Sequence, residues 1–203
     1  MQIVLVRHGE TEWSRDLRHT GRTDIPLTER GREEAHALGH ALAEWRFARV
    51  FTSPLGRAVE TCRLAGFGEV GERTEALLEW DYGEYEGITT KEIRAERPGW
   101  FLWRDGCPGG ETADQVGARV DPLVAELKGE EGDVAMFAHG HVLRVLAARW
   151  LRLPPRDGAL FALYTATLSV LGFERETAVI KRWNSPVPSP AAASSSASRA
   201  SPS

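Results

Sequence analysis

Only two cysteines, Cys62 and Cys107, occur among 203 residues. They form no C-x-x-C motif and no disulfide framework, so both are expected to be reduced and structural. No run of eighteen apolar residues is present, and no charged-then-apolar leader, since Met1 opens directly onto an apolar run. The expectation is a cytoplasmic chain without a membrane partner. An excess of one charge is lacking too: 25 Lys and Arg stand against 29 Asp and Glu, a net charge of -4. That balance gives no footprint for nucleic acid and implies that basic residues matter only where they are gathered locally. The chain has no G-x-x-x-x-G-K-[ST] loop and no Rossmann glycine fingerprint, which leaves nucleotide-driven chemistry unsupported. From residue 185 onward aromatics are absent, and Ser, Ala and Pro take over. Such a segment cannot bury enough surface to offset its ordering entropy, so 185–203 is expected to be a disordered tail on a single domain, 1–184.

What the chain does have is a set of apolar runs that end on basic residues. Residues 2–6 read as a buried strand delivering Arg7, His8 and Gly9 at its C-terminal end, where ligands bind in open α/β sheets. Residues 50–52 run into Ser53-Pro54 and then Arg57, and 134–138 end in His139-Gly140-His141. Three strands ending this way make an anion site the natural reading. Ser53 followed by Pro54 reads as a helix cap with proline at the first helical position, which puts Arg57 on a first turn whose free N–H groups favour an anion. The competing reading takes His139 and His141 as an H-x-H metal pair. No second H-x-H, H-E-x-x-H or Cys pair accompanies it, and the neighbouring arginines would repel a divalent cation. No metal and no cofactor is expected.

Between these runs the pattern is helical. Thr28 reads as an N-cap, with Ala35, Leu38, Leu42 and Trp45 on one stripe. His36 and His40, four apart off that stripe, read as a surface pair. Residues 88–100 look helical. Thr112 caps a helix to about Leu127 whose apolar face carries Val116, Val120, Leu123, Val124 and Leu127, and 142–151 form a further helix. Residues 166–173 and 178–183 read as a closing hairpin. Residues 12–24 are polar and irregular. Residues 101–112, rich in Trp, Gly and Pro, form either a lid over the site or a satellite core, with Trp103 and Arg104 undecided between the two. Among the acids of 75–87, spacing alone selects no catalyst. Glu86 reads as a maker of structural hydrogen bonds in this loop. His141 and Arg144, on the first turns of their helix, are open to substrate contact, with a structural role the favoured reading of both.

Four blocks in order, Leu5-Val6-Arg7-His8-Gly9-Glu10-Thr11, Thr52-Ser53-Pro54-Leu55-Gly56-Arg57-Ala58, Glu79 ahead of Tyr82-Gly83-Glu84-Tyr85-Glu86-Gly87, and Ala138-His139-Gly140, resemble the histidine phosphatase superfamily, phosphoglycerate mutase-like branch. The resemblance covers about residues 2–183. It implies an α/β fold, a three-layer α/β/α sandwich with a mostly parallel central sheet. It assigns His8 as the phosphorylated nucleophile, Arg7, Arg57 and His139 as the phosphate pocket with Gly140 beside them, and Glu79 as proton donor. A carboxylic acid in a partly dry site suits that role, because desolvation disfavours its charged form. Ser14, Thr20, Gly21, Tyr82, Trp103 and Arg104 are the expected substrate contacts. The implied partner is a small-molecule phosphomonoester, with a homodimer left open.

The family divides between mutases and phosphatases. Mutases resembling this chain carry extra basic residues after the Tyr-Gly segment, where residues 88–110 hold only Lys91, Arg94, Arg97 and Arg104 and no adjacent basic pair. The expectation is therefore a metal-independent phosphatase acting on sugar phosphates, similar to the sedoheptulose-1,7-bisphosphatase branch and bacterial acid phosphatases. A cofactor-dependent phosphoglycerate mutase and a non-catalytic phospho-ligand binder are the alternatives.

Overall fold

The computed structural model describes residues 1–187. Six strands form one sheet, β1 (Ile3–Arg7), β2 (Phe47–Thr52), β3 (Gly71–Arg73), β4 (Asp133–Ala138), β5 (Thr167–Glu174) and β6 (Thr177–Pro186), in the spatial order β3-β2-β4-β1-β5-β6. The first four neighbours run parallel, and β5 and β6 close one edge antiparallel. Helices lie along the chain as α1 (Glu12–Arg15), α2 (Glu29–Leu42), α3 (Gly56–Cys62), α4 (Thr90–Glu96), α5 (Leu102–Asp105), α6 (Ala113–Leu127) and α7 (Gly140–Trp150). None of the described helices is long and apolar enough to cross a membrane.

Strands β1 and β4 are apolar without alternation because both faces of the sheet are covered. Successive residues point to opposite faces. Ile3, Leu5 and Met136 join α6 and α7 through Val116, Val120, Leu146 and Trp150. Val4, Val6 and Phe137 join α2 and α3 through Leu38, Leu42 and Cys62. The two clusters are the two layers of the expected sandwich. Thr28 does cap α2, its Oγ1 accepting from the N–H of Gly31 at 3.0 Å. Thr112 caps α6 in a capping box with Gln115.

One close approach ties β1 to α2. A Cβ on Gly9 would lie 2.2 Å from the carbonyl oxygen of Gly31, and one on Gly31 would lie 2.1 Å from that of Glu10. Neither backbone admits a side chain there, so the turn after His8 is pinned against the helix start.

Several expectations need correction. Residues 12–15 are a short helix, capped by Thr11, rather than irregular chain. Helix α2 ends at Leu42, so Trp45 leaves its stripe and stacks on Phe47 instead. Helix α3 starts at Gly56, not at Pro54, and Leu55 holds the cap position without a side-chain bond. The helix expected over 88–100 is confined to α4, where Thr89 and Glu92 form a capping box. Strand β6 continues through Ser185 and Pro186, which pair with Leu168 and Thr167, so the expected boundary after 184 cuts a strand. The rest of the expected tail, 188–203, lies outside the described residues.

Candidate active site

The parallel strands β2, β4 and β1 end together, which brings Ser53, His139 and His8 to one edge of the sheet. Beside that edge lies a cleft of about 940 Å³. Its walls include Arg7, His8, Ser14, Thr20, Glu79, Tyr82 and Gly140 from the expected set, together with His141 and Arg144. Arg57, His139, Gly21, Trp103 and Arg104 are not on those walls.

His8 is 3% exposed, and its Nδ1 lies 2.7 Å from the carbonyl oxygen of Gly9. A carbonyl can only accept, so Nδ1 carries the proton and donates it. The Nε2 lone pair is thereby left bare. Burial first, and then the charges of Arg57 and Arg7, hold His8 well below the ordinary imidazole range, so the ring stays neutral. A neutral imidazole with a free Nε2 is the form a nucleophile needs.

Arg7 donates through Nη1 to the carbonyl of Leu163, while its Nε is buried with no partner among the described residues. Such an atom calls for an explanation. In an anion site it has one, because an incoming oxygen would supply the missing acceptor. Gly140 keeps this space open, since a Cβ there would lie 3.3 Å from the Arg7 Cζ.

Glu79 is 4% exposed and is held from both sides. Its Oε1 accepts from the backbone N–H of Trp80 and of Val142, both at 2.9 Å, and its Oε2 from that of His141 at 3.0 Å. Two of those donors belong to the first turn of α7, where the N–H groups have no partner within the helix. Glu79 therefore replaces a side-chain cap, which His139 at the cap position does not supply. Oε2 accepts a single bond and has capacity to spare.

Arg57 and His139 form a layer behind His8. Arg57 is 0% exposed, and four of its five N–H groups are used, one on His139 Nδ1 at 3.1 Å and the others on the carbonyls of Thr23, Thr20 and Gly21. An arginine Nε can only donate, so His139 Nδ1 accepts and its Nε2 carries the proton, donating to Ser53 Oγ at 2.7 Å. The rings of His8 and His139 are 5.2 Å apart. Of the expected phosphate pocket of Arg7, Arg57 and His139, Arg7 lies on the cleft wall, with cationic Arg57 and neutral His139 behind it. The N–H groups expected to attract an anion at the start of α3 instead take the Asp24 carboxylate, from Gly56 at 2.8 Å and Arg57 at 3.4 Å. Ser53, expected as that helix's cap, serves His139.

Gly21 likewise sits one layer back. Its N–H donates to Glu86 at 2.8 Å, and its carbonyl accepts from Arg57. Glu86, which also accepts from Thr23, has the structural role expected of it. Ser14 spends its side chain on the capping box with Thr11, and Thr20 bonds the carbonyl of Arg18. Both still line the cleft. Residues 101–112 are packed rather than poised to close. Trp103 is 6% exposed and meets Trp80 edge-on at 5.4 Å, while Arg104 turns outward to Asp105 and the carbonyl of Gly99. Trp103 packs as in the satellite-core reading, and neither it nor Arg104 lines the cleft.

His141 had been expected to be structural, yet it shares the cleft. Tyr82, 2% exposed, places its hydroxyl 2.6 Å from His141 Nδ1, and its ring stacks on His19 at 4.8 Å. Burial pushes the Tyr82 hydroxyl well above its ordinary range and His141 well below its own, so both are neutral. Arg144, lowered by burial to about 10, lies over the Trp103 ring at 4.6 Å. Tertiary placement puts both residues on the cleft wall. As for the H-x-H pair, His139 and His141 turn to different partners, and among the described residues no three metal-ligating side chains converge.

This geometry places a neutral imidazole with a free Nε2, a guanidinium and a carboxyl group in one cleft. Comparison with known proteins agrees with that chemistry. A family model of the histidine phosphatase superfamily (branch 1) matches residues 3–186. An acid phosphatase of Mycobacterium tuberculosis (strain ATCC 25618 / H37Rv) is 42% identical over 194 residues, covering 92% of this chain and 95% of that protein. The sedoheptulose 1,7-bisphosphatase of Saccharomyces cerevisiae (strain ATCC 204508 / S288c) is 36% identical over 186 residues, covering 75% and 68%. A 2,3-bisphosphoglycerate-dependent phosphoglycerate mutase of Rhizobium meliloti (strain 1021) is 40% identical over 167 residues, covering 71% and 76%. Among solved structures, an open reading frame product of Mycobacterium tuberculosis superposes with a TM-score of 0.87 at 41% identity, covering 92% of this chain and 98% of that one.

Proposed function

The chain belongs to the histidine phosphatase superfamily (branch 1) and is a phosphoric monoester hydrolase, and from that premise we propose that it releases phosphate from small sugar phosphates through a phosphohistidine on His8. The observation that carries this reading is the bare Nε2 of a neutral His8 in the same cleft as the unpartnered Nε of Arg7 and the carboxyl group of Glu79.

In the first step His8 Nε2 attacks phosphorus, the bond to the ester oxygen breaks, and protonated Glu79 gives its proton to the leaving alkoxide. In the second step the Glu79 carboxylate takes a proton from water. The hydroxide attacks phosphorus, the N–P bond breaks, and phosphate leaves with His8 restored. Arg7 compensates charge on the phosphoryl oxygens directly. Arg57 acts as a positioning residue, orienting His139 and adding positive potential behind His8. Substrate binding falls to Ser14, Thr20 and Tyr82 on the walls. Hydroxyls and the Tyr82 ring suit a polyol chain, and the relatives named acid phosphatase and sedoheptulose bisphosphatase support a sugar phosphate.

The mutase relative makes phosphoryl return to a second hydroxyl the competing outcome. One assay separates the two. Phosphate release from sedoheptulose bisphosphate, fructose bisphosphate, 3-phosphoglycerate and glucosyl phosphoglycerate is followed with EDTA present. Release that survives chelation, with acid-labile, base-stable phosphate trapped on the protein after a rapid quench, is expected. Interconversion of 2- and 3-phosphoglycerate with little phosphate released would overturn the hydrolase reading.

A further inference from the structure

The turn after His8 contains two peptide units, and all four of their polar groups are used. In the unit between His8 and Gly9, the carbonyl accepts from the Ala166 N–H at 3.1 Å and the N–H donates to Thr61 Oγ1 at 3.2 Å. In the unit between Gly9 and Glu10, the carbonyl accepts from His8 Nδ1 at 2.7 Å and the N–H donates to Glu34 Oε2 at 2.9 Å. Neutral groups hold the first unit, whereas a carboxylate holds the second. A trans peptide points its C=O and N–H in opposite directions, so the second unit joins His8 and Glu34 in one series of hydrogen bonds.

Glu34 stands on α2, whose start is fixed against this turn where Gly9 and Gly31 leave no room for a side chain. Its own side chain is 21% exposed, and its Oε1 meets Arg30 Nε at 3.1 Å. Arg30 is 72% exposed and also lies 4.0 Å from Glu10 Oε2, so one water-screened cation answers two carboxylates. Holding the turn requires only an acceptor, and the Thr61 hydroxyl is enough for the Gly9 N–H. A carboxylate adds charge to that role. When His8 Nε2 bonds to phosphorus, the ring keeps its Nδ1 proton and becomes cationic. The Nδ1–H is then a stronger donor, the Gly9 carbonyl is polarised further, and the Glu10 N–H bonds more tightly to Glu34.

We infer that Glu34 is a positioning residue for phosphoryl transfer: through the peptide between Gly9 and Glu10 it holds the Nδ1–H tautomer of His8 and stabilises the cationic ring while Nε2 carries the phosphoryl group. This rests on the reading of His8 as the nucleophile. No proton travels along the series. Nδ1 keeps its proton, the Nε2–P bond forms as the ester P–O bond breaks, and the ring is neutral again once water has taken the phosphoryl group. The interaction is stronger with the charged ring than with the neutral one, so it accelerates formation of the phosphohistidine and leaves substrate affinity alone. It does not accelerate the second step, in which the ring loses its charge.

The test uses the full chain and Glu34→Gln, which keeps an oxygen acceptor for the Glu10 N–H and removes the charge. With para-nitrophenyl phosphate as substrate, rapid quenching follows the acid-labile, base-stable phosphate on the protein through its formation and its decay. Formation should slow by about three- to tenfold in Glu34→Gln, while decay keeps its rate or quickens and the affinity for substrate is unchanged. Arg30→Ala, which removes the screening cation and leaves Glu34 in place, should not slow formation. Formation within about twofold of wild type in Glu34→Gln, formation and decay slowed alike, or an equal loss in Arg30→Ala would each overturn the inference, the last two because they place the effect in the packing of α2. In all three cases the His8 chemistry stands. A wild type that carries no phosphate during turnover overturns the reading of His8 and the role of Glu34 together.

Discussion

The two walls of the cleft hold their polar groups by different means. On the strand-end wall the key groups are buried or half-buried and aimed by the backbone: His8 by the Gly9 carbonyl, Arg7 by Leu163, Glu79 by three N–H groups. On the opposite wall, Arg18, Lys91 and Arg94 are exposed, and two of them are anchored by single carbonyls. Bond making tolerates little error in position, so its groups sit on rigid strand ends and a helix start. Long cationic side chains on a short helix and a loop keep more freedom of position.

The sharpest test of this contrast is removal of the nucleophile. His8→Ala should lower kcat by about 10⁴-fold or more, since His8 is the ring that places a bare Nε2 beside Arg7 in the cleft with Glu79. Turnover within a factor of ten of wild type would mean that the strand-end wall is not the reacting one. Next in size, Glu79→Gln should cost about 10² to 10⁴ in kcat, with the larger loss for alkyl phosphates than for para-nitrophenyl phosphate. A loss equal for both leaving groups would deny Glu79 its role as proton donor.

A smaller effect concerns stability. Ending the chain after Asn184 removes the pairs Ser185 with Leu168 and Pro186 with Thr167, together with Val187, which packs against the core. Compared with a chain ending after Val187, the melting temperature should fall by several degrees, at roughly 2–4 °C per kcal/mol for a domain of this size. Equal melting of the two chains would show that the end of β6 adds nothing.

The smallest expected effect is on pH dependence. His8, His139 and His141 are held well below 6.5, in each case by burial first, and His19 is pushed down by burial to about 4. In the unfolded chain these rings take up protons near pH 6.5. Below that value the unfolded state binds more protons than the fold, so stability rises with pH there. The histidine contribution is complete above about pH 6.5 and is lost as pH falls toward the folded values. Melting should therefore be flat above neutrality and fall from about pH 6.5 toward 4. The pH profile of kcat/KM should show no acid limb near 6.5, because His8 stays neutral through that range, and such a limb would contradict the environment described for His8.

Much of the strand-end wall was legible in the chain. A strand covered on both faces reads as an unbroken apolar run, so β1 and β4 announce themselves, and the polar residue that ends each run must lie at the sheet's edge. Thr28 and Thr112 were legible as caps because a cap is a contact three residues long. Ser53 misled for the same reason. Ser-Pro looks like a local cap, but its hydroxyl is taken by His139, 86 positions away. Strand β3, three residues long, has too few side chains to show a period. The aromatic loop around Trp103 was ambiguous, since a tryptophan suits a lid and a core equally until its neighbours Trp80 and Arg144 are known.

The sequence by itself determined most of the order of the elements and, through the resemblance of its motif blocks, the family and the proposal of His8, Arg7 and Glu79 as a set, because apolar period, caps and motif order are properties of the chain itself. Only the tertiary structure decided which basic residues face the cleft and which stand behind it. Arg57 looks as free as Arg7 in the sequence, yet three carbonyls and a histidine use its donors. Arg18 looks solvated, yet one backbone bridge sets it beside Lys91 and Arg94. The direction of a guanidinium depends on which acceptors lie within about 3 Å of it, and only the folded chain brings those acceptors together.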